Sequence, residues 1–287
     1  MTIWFSTNIP EMRAISTFNR VSTDIANIQH RITTGQRINS GQDDPGGLII
    51  REGLRADIKG IHSLQTGMTQ AEVMMGVAAG GMQQLIEVIN GSQTDPSSGG
   101  LIRMLDDPLL SLTQKGEMAR DFMKLYDGVV DTTVYNNEKL IGTENGLTKT
   151  FLLGGEGGTI PAPLTMTVTI PDLSSANVAD NAITAPTGAF ANQEAVDTFR
   201  ANVVEALGVI SKAYGELGMK QQVAATNQLL LDSRLTSVVA AEGRISNADI
   251  AVESSRMARA ELLAQNSMSS IMYTRNYAAF AVRSLFG

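Results

Sequence analysis

A seven-residue repeat of apolar positions in the last hundred residues constrains this chain most. No proline follows Pro186, so nothing in this stretch forces a helix to break. The repeat comprises Val196, Val203, Ile210, Leu217, Ala224, Leu231, Val238 and Ile245, and after a two-residue phase slip a second series continues with Ile250, Met257, Ala264, Ile271, Ala278 and Leu285. Residues seven apart share one helix face and form a seam for another helix. The pattern predicts one very long return helix whose apolar face needs a partner from the other end of the chain, from other copies, or from both.

A matching seam lies near the start of the chain. After an extended lead-in through Pro10, a helix is predicted from Glu11 to about Thr34. Its apolar residues alternate in steps of four and three, at Ala14, Phe18, Val21, Ile25, Ile28 and Ile32. Its other faces carry Ser, Thr, Asn and Gln with few charges, which favours packing into an ordered array over exposure to solvent.

The middle of the chain changes character twice. Asp44 followed by Pro45 is typical of a helix N-cap, and a second helix is predicted from about 45 to 90. A short helix at 101–105 and a longer one at about 111–131 follow, the latter with Met118, Phe122, Leu125 and Val129 at helical spacing. Residues 142–189 are rich in glycine and proline, and the run 164–170 alternates apolar residues with threonine, as a strand paired with 149–153 would. The fold class is therefore mainly α: an elongated helical hairpin or coiled coil formed by the N- and C-terminal segments, with a small β-containing insert at its tip.

Composition excludes several functions. The net charge of −7 and a pI of about 4.9 leave no basic stripe for nucleic acid. No apolar run is long enough for membrane insertion, and the first twelve residues do not resemble a standard secretory signal. The chain has no cysteine, so a disulfide, a thiolate metal site and a cysteine nucleophile are impossible.

No constellation of residues predicts catalysis. His30 and His62, the two histidines, fall on different predicted helices. Helix capping explains Asp44 more simply than a metal pair with Asp43 does. The glycines at 154–158 are not followed by the Lys-Ser/Thr of a phosphate loop. We expect no catalytic, metal-binding or cofactor-binding residue, and no cofactor.

The two terminal segments are expected to depend on other copies for their order. Residues 11–34 and 250–287 form one apolar seam, and burying it returns less free energy than fixing both backbones costs. The hypothesis is that both segments are mobile in the monomer and become ordered when copies stack.

Two motifs, one near each end, identify the family that this chain resembles. Residues 34–48 (TGQRINSGQDDPGGL) resemble the N-terminal signature of bacterial flagellins, and residues 244–251 (RISNADIA) resemble their C-terminal motif. Residues 134–141 (VYNNEKLI) are similar to the segment before the family's variable region. The resemblance covers about residues 11–141 and 195–287. The motif positions, expected to pack the outer domain, are Arg37, Ile38, Asn39, Asp43, Asp44, Leu48, Arg244, Ile245 and Asp249.

The resemblance implies a structural, non-enzymatic subunit that polymerises into the filament used for swimming. It implies an inner-core helix at 1–44 paired with another at 250–287, an outer helical domain from 45–141 and 190–249, and a small variable insert at 142–189. Self-association would then use Phe18, Val21, Ile25, Ile28, Ile32, Ile250, Met257, Ile271 and Leu285. Other implied partners are an export chaperone on the C-terminal helix, the hook-associated proteins and the cap protein. The chain would be exported unfolded through the flagellar type III apparatus and lie outside the cell, in a filament of this or several flagellins.

Departures from the family pattern leave alternatives open. Pro45 replaces a residue that is usually alanine, and Asp-Asp-Pro also occurs in the related hook–filament junction protein, which is the alternative function. A secreted helical translocator would need an apolar transmembrane hairpin, and the sequence has none. At the surface read by the animal flagellin receptor, Gln84 and Ile86 replace two arginines before Glu87. Neither residue supplies the bidentate donors of arginine, which predicts weak receptor activation.

Overall fold

The computed structural model describes residues 9–91, 100–143, 146–154, 164–178, 183–184 and 186–286, without the side chains of 277–279 and 281–286. In these ranges the helices are α1 (Ile9–Thr34), α2 (Pro45–Asn90), α3 (Leu101–Leu105), α4 (Leu112–Thr132), α5 (Gln193–Ser246) and α6 (Ile250–Phe286). The strands are β1 (Val134–Tyr135), β2 (Glu138–Lys139), β3 (Leu147–Gly154) and β4 (Leu164–Ile170). The mainly helical class with a small β insert is confirmed. Two compact units divide the chain: unit 1 comprises residues 1–56 and 236–287, and unit 2 comprises residues 57–235.

The prediction of one uninterrupted return helix is wrong. The chain forms two helices, α5 and α6, separated by a break at residues 247–249. The break coincides with the phase slip after Ile245, where one apolar face ends and another begins. Asp249 caps α6, because its Oδ1 accepts hydrogen bonds from the backbone N–H groups of Ala251 at 3.0 Å and Val252 at 3.2 Å.

The start of α2 is confirmed and the start of α1 is shifted. Asp44 caps α2 through its Oδ1, which accepts from the Gly47 N–H at 2.9 Å, and Pro45 is the first helical residue. The extended lead-in was predicted to reach Pro10, but α1 already begins at Ile9. Proline is tolerated in a first helical turn because its missing N–H would have no partner there. The rest of the lead-in, residues 1–8 with Trp4, lies outside the described residues.

The core of unit 2 is built on an antiparallel pair of α2 and α5. The side-chain amide of Gln65 donates to Asp232 Oδ1 at 2.6 Å, and Gln228 meets Thr69 at 3.3 Å. Since residue numbers rise on one helix as they fall on the other, the two run in opposite directions. The predicted seven-step seam of α5 is buried from Val196 to Leu231, with no member more than 3% exposed. On α2, the fully buried residues Met68, Met75, Met82 and Ile89 recur at the same interval.

The other elements of unit 2 pack their own apolar faces. β3 and β4 pair antiparallel, as predicted, with Met166, Val168 and Ile170 buried and the threonines between them exposed. β1 and β2 are joined by Asn136 and Asn137, whose φ values of 50° and 65° suit a tight hairpin turn. The fully buried Tyr126 of α4 donates its hydroxyl to the Leu173 carbonyl oxygen at 2.7 Å, and burial raises the pKa of this phenol.

Two adjacent glycines of α2 provide a test of this packing. A Cβ added to Gly81 would overlap the buried Thr133 side chain and lie 3.0 Å from Ile141 Cδ1, whereas one added to Gly80 would meet nothing within 4 Å. We expect Gly81→Ala to lower the free energy of unfolding by about 1–3 kcal/mol. Gly80→Ala should raise it by about 0.5–1 kcal/mol, because alanine loses less conformational entropy in a helix. Urea denaturation measures both, and equal effects of the two substitutions would contradict this packing.

Candidate self-association site and the junction behind it

In unit 1, α1 and α6 lie side by side and antiparallel. At one end Glu11 Oε1 lies 3.2 Å from Arg275 Nε, and at the other Gln36 and Asn247 form an antiparallel bridge. Val21 is buried, and the predicted positions Phe18, Ile25, Ile28 and Ile32 of α1 are half-buried. On α6, the buried or half-buried residues recur in steps of four and three at Glu253, Met257, Ala260, Ala264, Ser267, Ile271 and Thr274. Both helices therefore turn a heptad face inward.

One of the predicted self-association residues, Ile250, lies outside this seam, and for another, Leu285, the side chain is not described. Ile250, the first residue of α6, is 46% exposed. Leu285 belongs to the end of α6 whose side chains are not described. The seam uses Ala260 instead, together with the buried polar residue Glu253, neither of which the sequence analysis selected.

Several large apolar side chains are also exposed on the outward faces of unit 1. The largest exposed fractions on α1 and α6 belong to Ile9, Met12, Leu262, Met272, Tyr273 and Phe280, each at 57% or more. Ile49 and Ile50 at the start of α2 are similarly exposed. An extended set of exposed apolar side chains marks a surface that associates with another molecule.

A backbone junction joins the helix ends that the two sequence motifs occupy. We define the junction as residues 35–44 together with residues 245–249. The Arg37 N–H donates to the Ser246 carbonyl at 2.6 Å, and the Ala248 N–H donates to the Gly35 carbonyl at 2.9 Å. Gly35 ends α1 with a φ of +67°, a left-handed conformation that favours glycine. The two motifs, about 200 residues apart in the sequence, therefore form one structural element.

Two arginine side chains donate hydrogen bonds to backbone carbonyls of the junction. Arg37 donates through Nε and Nη2 to the Ile245 carbonyl at 3.3 and 2.9 Å, satisfying an acceptor in the last turn of α5. Arg51 is only 6% exposed and donates to the carbonyl of the fully buried Ile38. Asn39 donates from its side chain to the Gln36 carbonyl at 3.0 Å. Arg51 was missed by the sequence analysis because nothing in its spacing distinguishes it from a surface arginine.

Asp43 holds the loop of the junction together. Its Oδ1 accepts from Arg31 Nη2 at 3.0 Å, and its Oδ2 accepts from the backbone N–H groups of Asn39 at 3.1 Å and Ser40 at 2.9 Å. The Arg31 guanidinium, followed by these amides, lowers the pKa of Asp43 from 3.8 to about 2. Asp43 therefore acts as a structural carboxylate in the junction loop.

The remaining motif residues complete the helix ends. Asp44 caps α2 and lies 3.7 Å from Arg37 Nη2, and the half-buried Leu48 donates its N–H to the Asp44 carbonyl at 2.9 Å. Arg244 is exposed in the last turn of α5, where a cation favours the helix dipole. In the described residues no group of three or more His, Asp or Glu could hold a metal ion, and no described helix could cross a membrane.

Unit 2 carries a second open surface, the α4 groove. Its volume is about 640 Å³, and its main lining residues are Gln84, Glu87, Val88, Met104, Met118, Phe122 and Leu125. Met118, Phe122 and Leu125 are three of the residues whose spacing predicted α4. However, α4 buries the face with Ala119, Met123 and Tyr126 instead. Of the predicted receptor positions, Gln84 and Glu87 are exposed on this groove, and Ile86 is half-buried.

These features are typical of a structural helical protein: the terminal helices are paired, backbone hydrogen bonds join the two motifs, and apolar residues are exposed. Residues 5–145 match the bacterial flagellin N-terminal helical region. A flagellin of Listeria innocua is 26% identical, with 93% of this chain aligned to 93% of that protein. A flagellin of Bacillus subtilis is 24% identical over 90% of this chain and 92% of its own length, and flagellin FljO of Caulobacter vibrioides is 22% identical over 98% and 97%.

The chain belongs to the bacterial flagellin family, and it is a structural subunit of the flagellar filament, the extracellular polymer used for motility. The family match runs from α1 through residues 35–44 of the junction and the α4 groove to β2. The alternative of a hook–filament junction protein gains no support from these relatives, which are all named as flagellins.

The Asp43 cluster predicts an acid-sensitive junction. Because the folded-state pKa of Asp43 is lowered to about 2, its contribution to stability is complete above pH 4 and is lost as the pH falls towards 2. Asp43→Asn should destabilise unit 1 by about 1 kcal/mol at pH 6, and the difference from the wild type should vanish near pH 2. Proteolysis of the 35–44 loop over this pH range, with an acid-tolerant protease, measures it.

A matched control is Asp121→Asn, which removes an ion pair with Lys124 whose partners are both more than 75% exposed. It should change stability by less than about 0.5 kcal/mol at any of these pH values. A constant difference between wild type and Asp43→Asn from pH 6 to pH 2 would show that the ionised carboxylate is not what holds the loop.

Proposed function

We propose that this flagellin polymerises with copies of itself through the outward faces of α1 and α6. The observation that carries the proposal is the set of exposed apolar side chains on both helices, from Met12 on α1 to Met272 on α6. Covering an apolar residue of this size contributes roughly 1.5–3 kcal/mol. Repeated for each copy in a stack, this burial supplies a driving force for growth.

Order in unit 1 is proposed to depend on that growth. In the described residues, α1 buries Val21 alone, and α6 buries only Glu253 and Ala260. Unit 2, by contrast, buries continuous faces of α2, α4 and α5. One thin seam supports the proposal that residues 11–34 and 250–286 open readily in the monomer and become fixed on stacking. The domain boundaries at residues 44 and 249 remain a proposal for the assembled state.

The α4 groove is proposed as a second contact surface, occupied by α5 of another copy. The groove combines apolar walls with the carboxylates of Glu87 and Asp121. On α5 the exposed residues Met219, Val223 and Leu230 share one helix face, and Lys220 stands beside them. An apolar face flanked by a cation complements an apolar groove flanked by carboxylates.

The remaining partners are proposed from the family. An export chaperone would bind α6, whose exposed Leu262, Leu263 and Met272 need cover before assembly. Secretion would proceed through the flagellar export apparatus, and hook-associated and cap proteins would meet the ends of the polymer. We propose no catalytic role. Since Gln84 and Ile86 replace arginines, the animal receptor should respond weakly, and a strong response to the purified chain would contradict that.

Seeded growth tests the proposed function. The purified chain, given short filament seeds under salting-out conditions and observed by electron microscopy, should extend them into long uniform tubes. A chain that stays monomeric, or that only caps the seeds, would overturn the bulk-subunit proposal and favour a junction protein.

A single charge on the outward face of α6 should weaken filament growth. Leu262 is 66% exposed, so Leu262→Lys leaves the packing of the isolated chain intact but buries an ammonium group in the stack. We expect the critical concentration for growth to rise at least tenfold while the urea midpoint of the monomer stays unchanged. Leu262→Met is the matched control and should grow normally. Normal growth of Leu262→Lys would show that this face of α6 is not part of the contact between copies.

Because the chain has no cysteine, introduced cysteines can report the groove contact cleanly. A Leu125→Cys chain is mixed with a chain carrying Met219→Cys, Val223→Cys or Leu230→Cys, assembled and oxidised. At least one pair should form mixed disulfides that the unassembled mixture lacks. Leu109→Cys, at a position 90% exposed, replaces the α5 cysteine as the control. If, in filaments, none of the three α5 cysteines forms more mixed disulfide with Leu125→Cys than the Leu109→Cys control does, then α5 of another copy does not occupy the groove.

A further inference from the structure

In the described residues, every exposed methionine lies on a face proposed to meet other copies. Because the chain has no cysteine, methionine is its only sulfur-containing residue. Six methionines of unit 2 are buried, each at most 4% exposed: Met68, Met74, Met75, Met82, Met123 and Met166. Four others are between 45% and 64% exposed: Met12 on α1, Met268 and Met272 on α6, and Met219 on α5. The most exposed thioethers are therefore those of the proposed contact faces.

Three of the exposed methionines lie at one end of the α1–α6 pair. The ion pair of Glu11 with Arg275, at 3.2 Å, fixes the level at which the two helices meet. Met12 follows Glu11 directly, and Met272 lies one helical turn before Arg275. Met268 lies one turn further along α6, on the same face as Met272. We define Met12, Met268 and Met272 as the methionine patch.

Exposure decides which thioethers an oxidant reaches. A peroxide oxidises methionine to methionine sulfoxide, provided that it can approach the sulfur. The sulfur lone pair attacks one peroxide oxygen, and the S–O bond forms as the O–O bond breaks. The departing hydroxide takes the proton of the transferred oxygen and leaves as water. The sulfur thus loses the two electrons that the peroxide gains, and the side chain changes from apolar to polar.

Oxidation of the methionine patch would alter the contact surface without touching the core. In the unassembled chain a sulfoxide at these positions stays in water. Between stacked copies the same oxygen would be buried among apolar side chains, where an unpaired polar group is unfavourable. The flexible thioether, by contrast, adapts to irregular gaps of the kind that an interface presents.

We propose that the methionine patch, together with Met219, is a site of reversible oxidation that controls assembly. A peroxide oxidises these residues in the unassembled chain and so blocks growth, and incorporation into a filament protects them. The proposal rests on the proposed self-association and adds to it a chemical modification of the contact faces.

Limited treatment of the unassembled chain with hydrogen peroxide tests the proposal. Treatment stops when peptide mass spectrometry finds one added oxygen on each of the four exposed methionines and none on the six buried ones. The critical concentration for seeded growth should rise about tenfold or more, because the added oxygens are buried without a donor. The urea midpoint of the monomer should not change. Methionine sulfoxide reductases for both epimers, with a dithiol as reductant, should remove the oxygen as water and restore growth.

Leucine at the four exposed positions shows whether these sulfur atoms are responsible. Because leucine and methionine are similar in volume, the combined variant Met12→Leu, Met219→Leu, Met268→Leu and Met272→Leu should grow normally without peroxide. After the same peroxide treatment, its critical concentration should stay unchanged. The matched control is Met74→Leu, which removes a sulfur from a residue that is 4% exposed and should leave the chain as sensitive as the wild type.

Filaments treated after assembly give a second measurement. Peroxide should oxidise the methionine patch at least about tenfold more slowly in filaments than in the unassembled chain, because a neighbouring copy covers it. Equal rates in the two states would show that the patch is not covered, and would overturn the inference.

The outcomes separate this inference from the function on which it rests. Untreated wild-type chain that never forms filaments would overturn the proposed self-association itself. Normal growth of the oxidised chain, beside untreated chain that forms filaments, would overturn the oxidation site alone. So would a fall in the urea midpoint that accompanies the loss of growth, or an equal loss of growth in the fourfold leucine variant.

Discussion

The backbone pairing between residues 35–37 and 246–248 is the constraint on which unit 1 depends. Two helices with heptad faces can pair in several registers, since sliding by seven residues matches apolar positions again. The bonds from Arg37 to Ser246 and from Ala248 to Gly35 remove that freedom, because they lie directly beside the end of α1 and the start of α6. The seam therefore has one register, and the outward faces of α1 and α6 present a fixed pattern.

The side chains of the junction secure this pairing with charge at both helix ends. Arg37 satisfies a carbonyl in the last turn of α5, and Asp249 and Asp44 satisfy the first amides of α6 and α2. Asp43 closes the loop between them through Arg31 and two backbone amides. Hydrogen-bond geometry thus accounts for five polar residues of the two family motifs: Arg37, Asn39, Asp43, Asp44 and Asp249.

The two units bury different shares of their apolar side chains, and this difference bears on how the chain acts as a subunit. Unit 2 covers the apolar seams of α2 and α5. Unit 1 leaves residues such as Met12, Leu262 and Met272 in water, where they are unfavourable until another molecule covers them. Covering such residues on polymerisation supplies a driving force for assembly.

Periodicity alone determined the helices, because the buried face of each long helix recurs every seven residues and needs no knowledge of its partner. The apolar repeat shifts by two residues after Ile245, at the place where α5 ends. The sequence analysis noted this shift but did not predict that the helix stops there. Only the tertiary structure decided which face of α4 is buried, that Ile250 lies outside the seam, and that Arg51 and Glu253 are buried. The burial of these residues depends on contacts between segments far apart in the sequence. The spacing of residues within one helix does not indicate which segment packs against it.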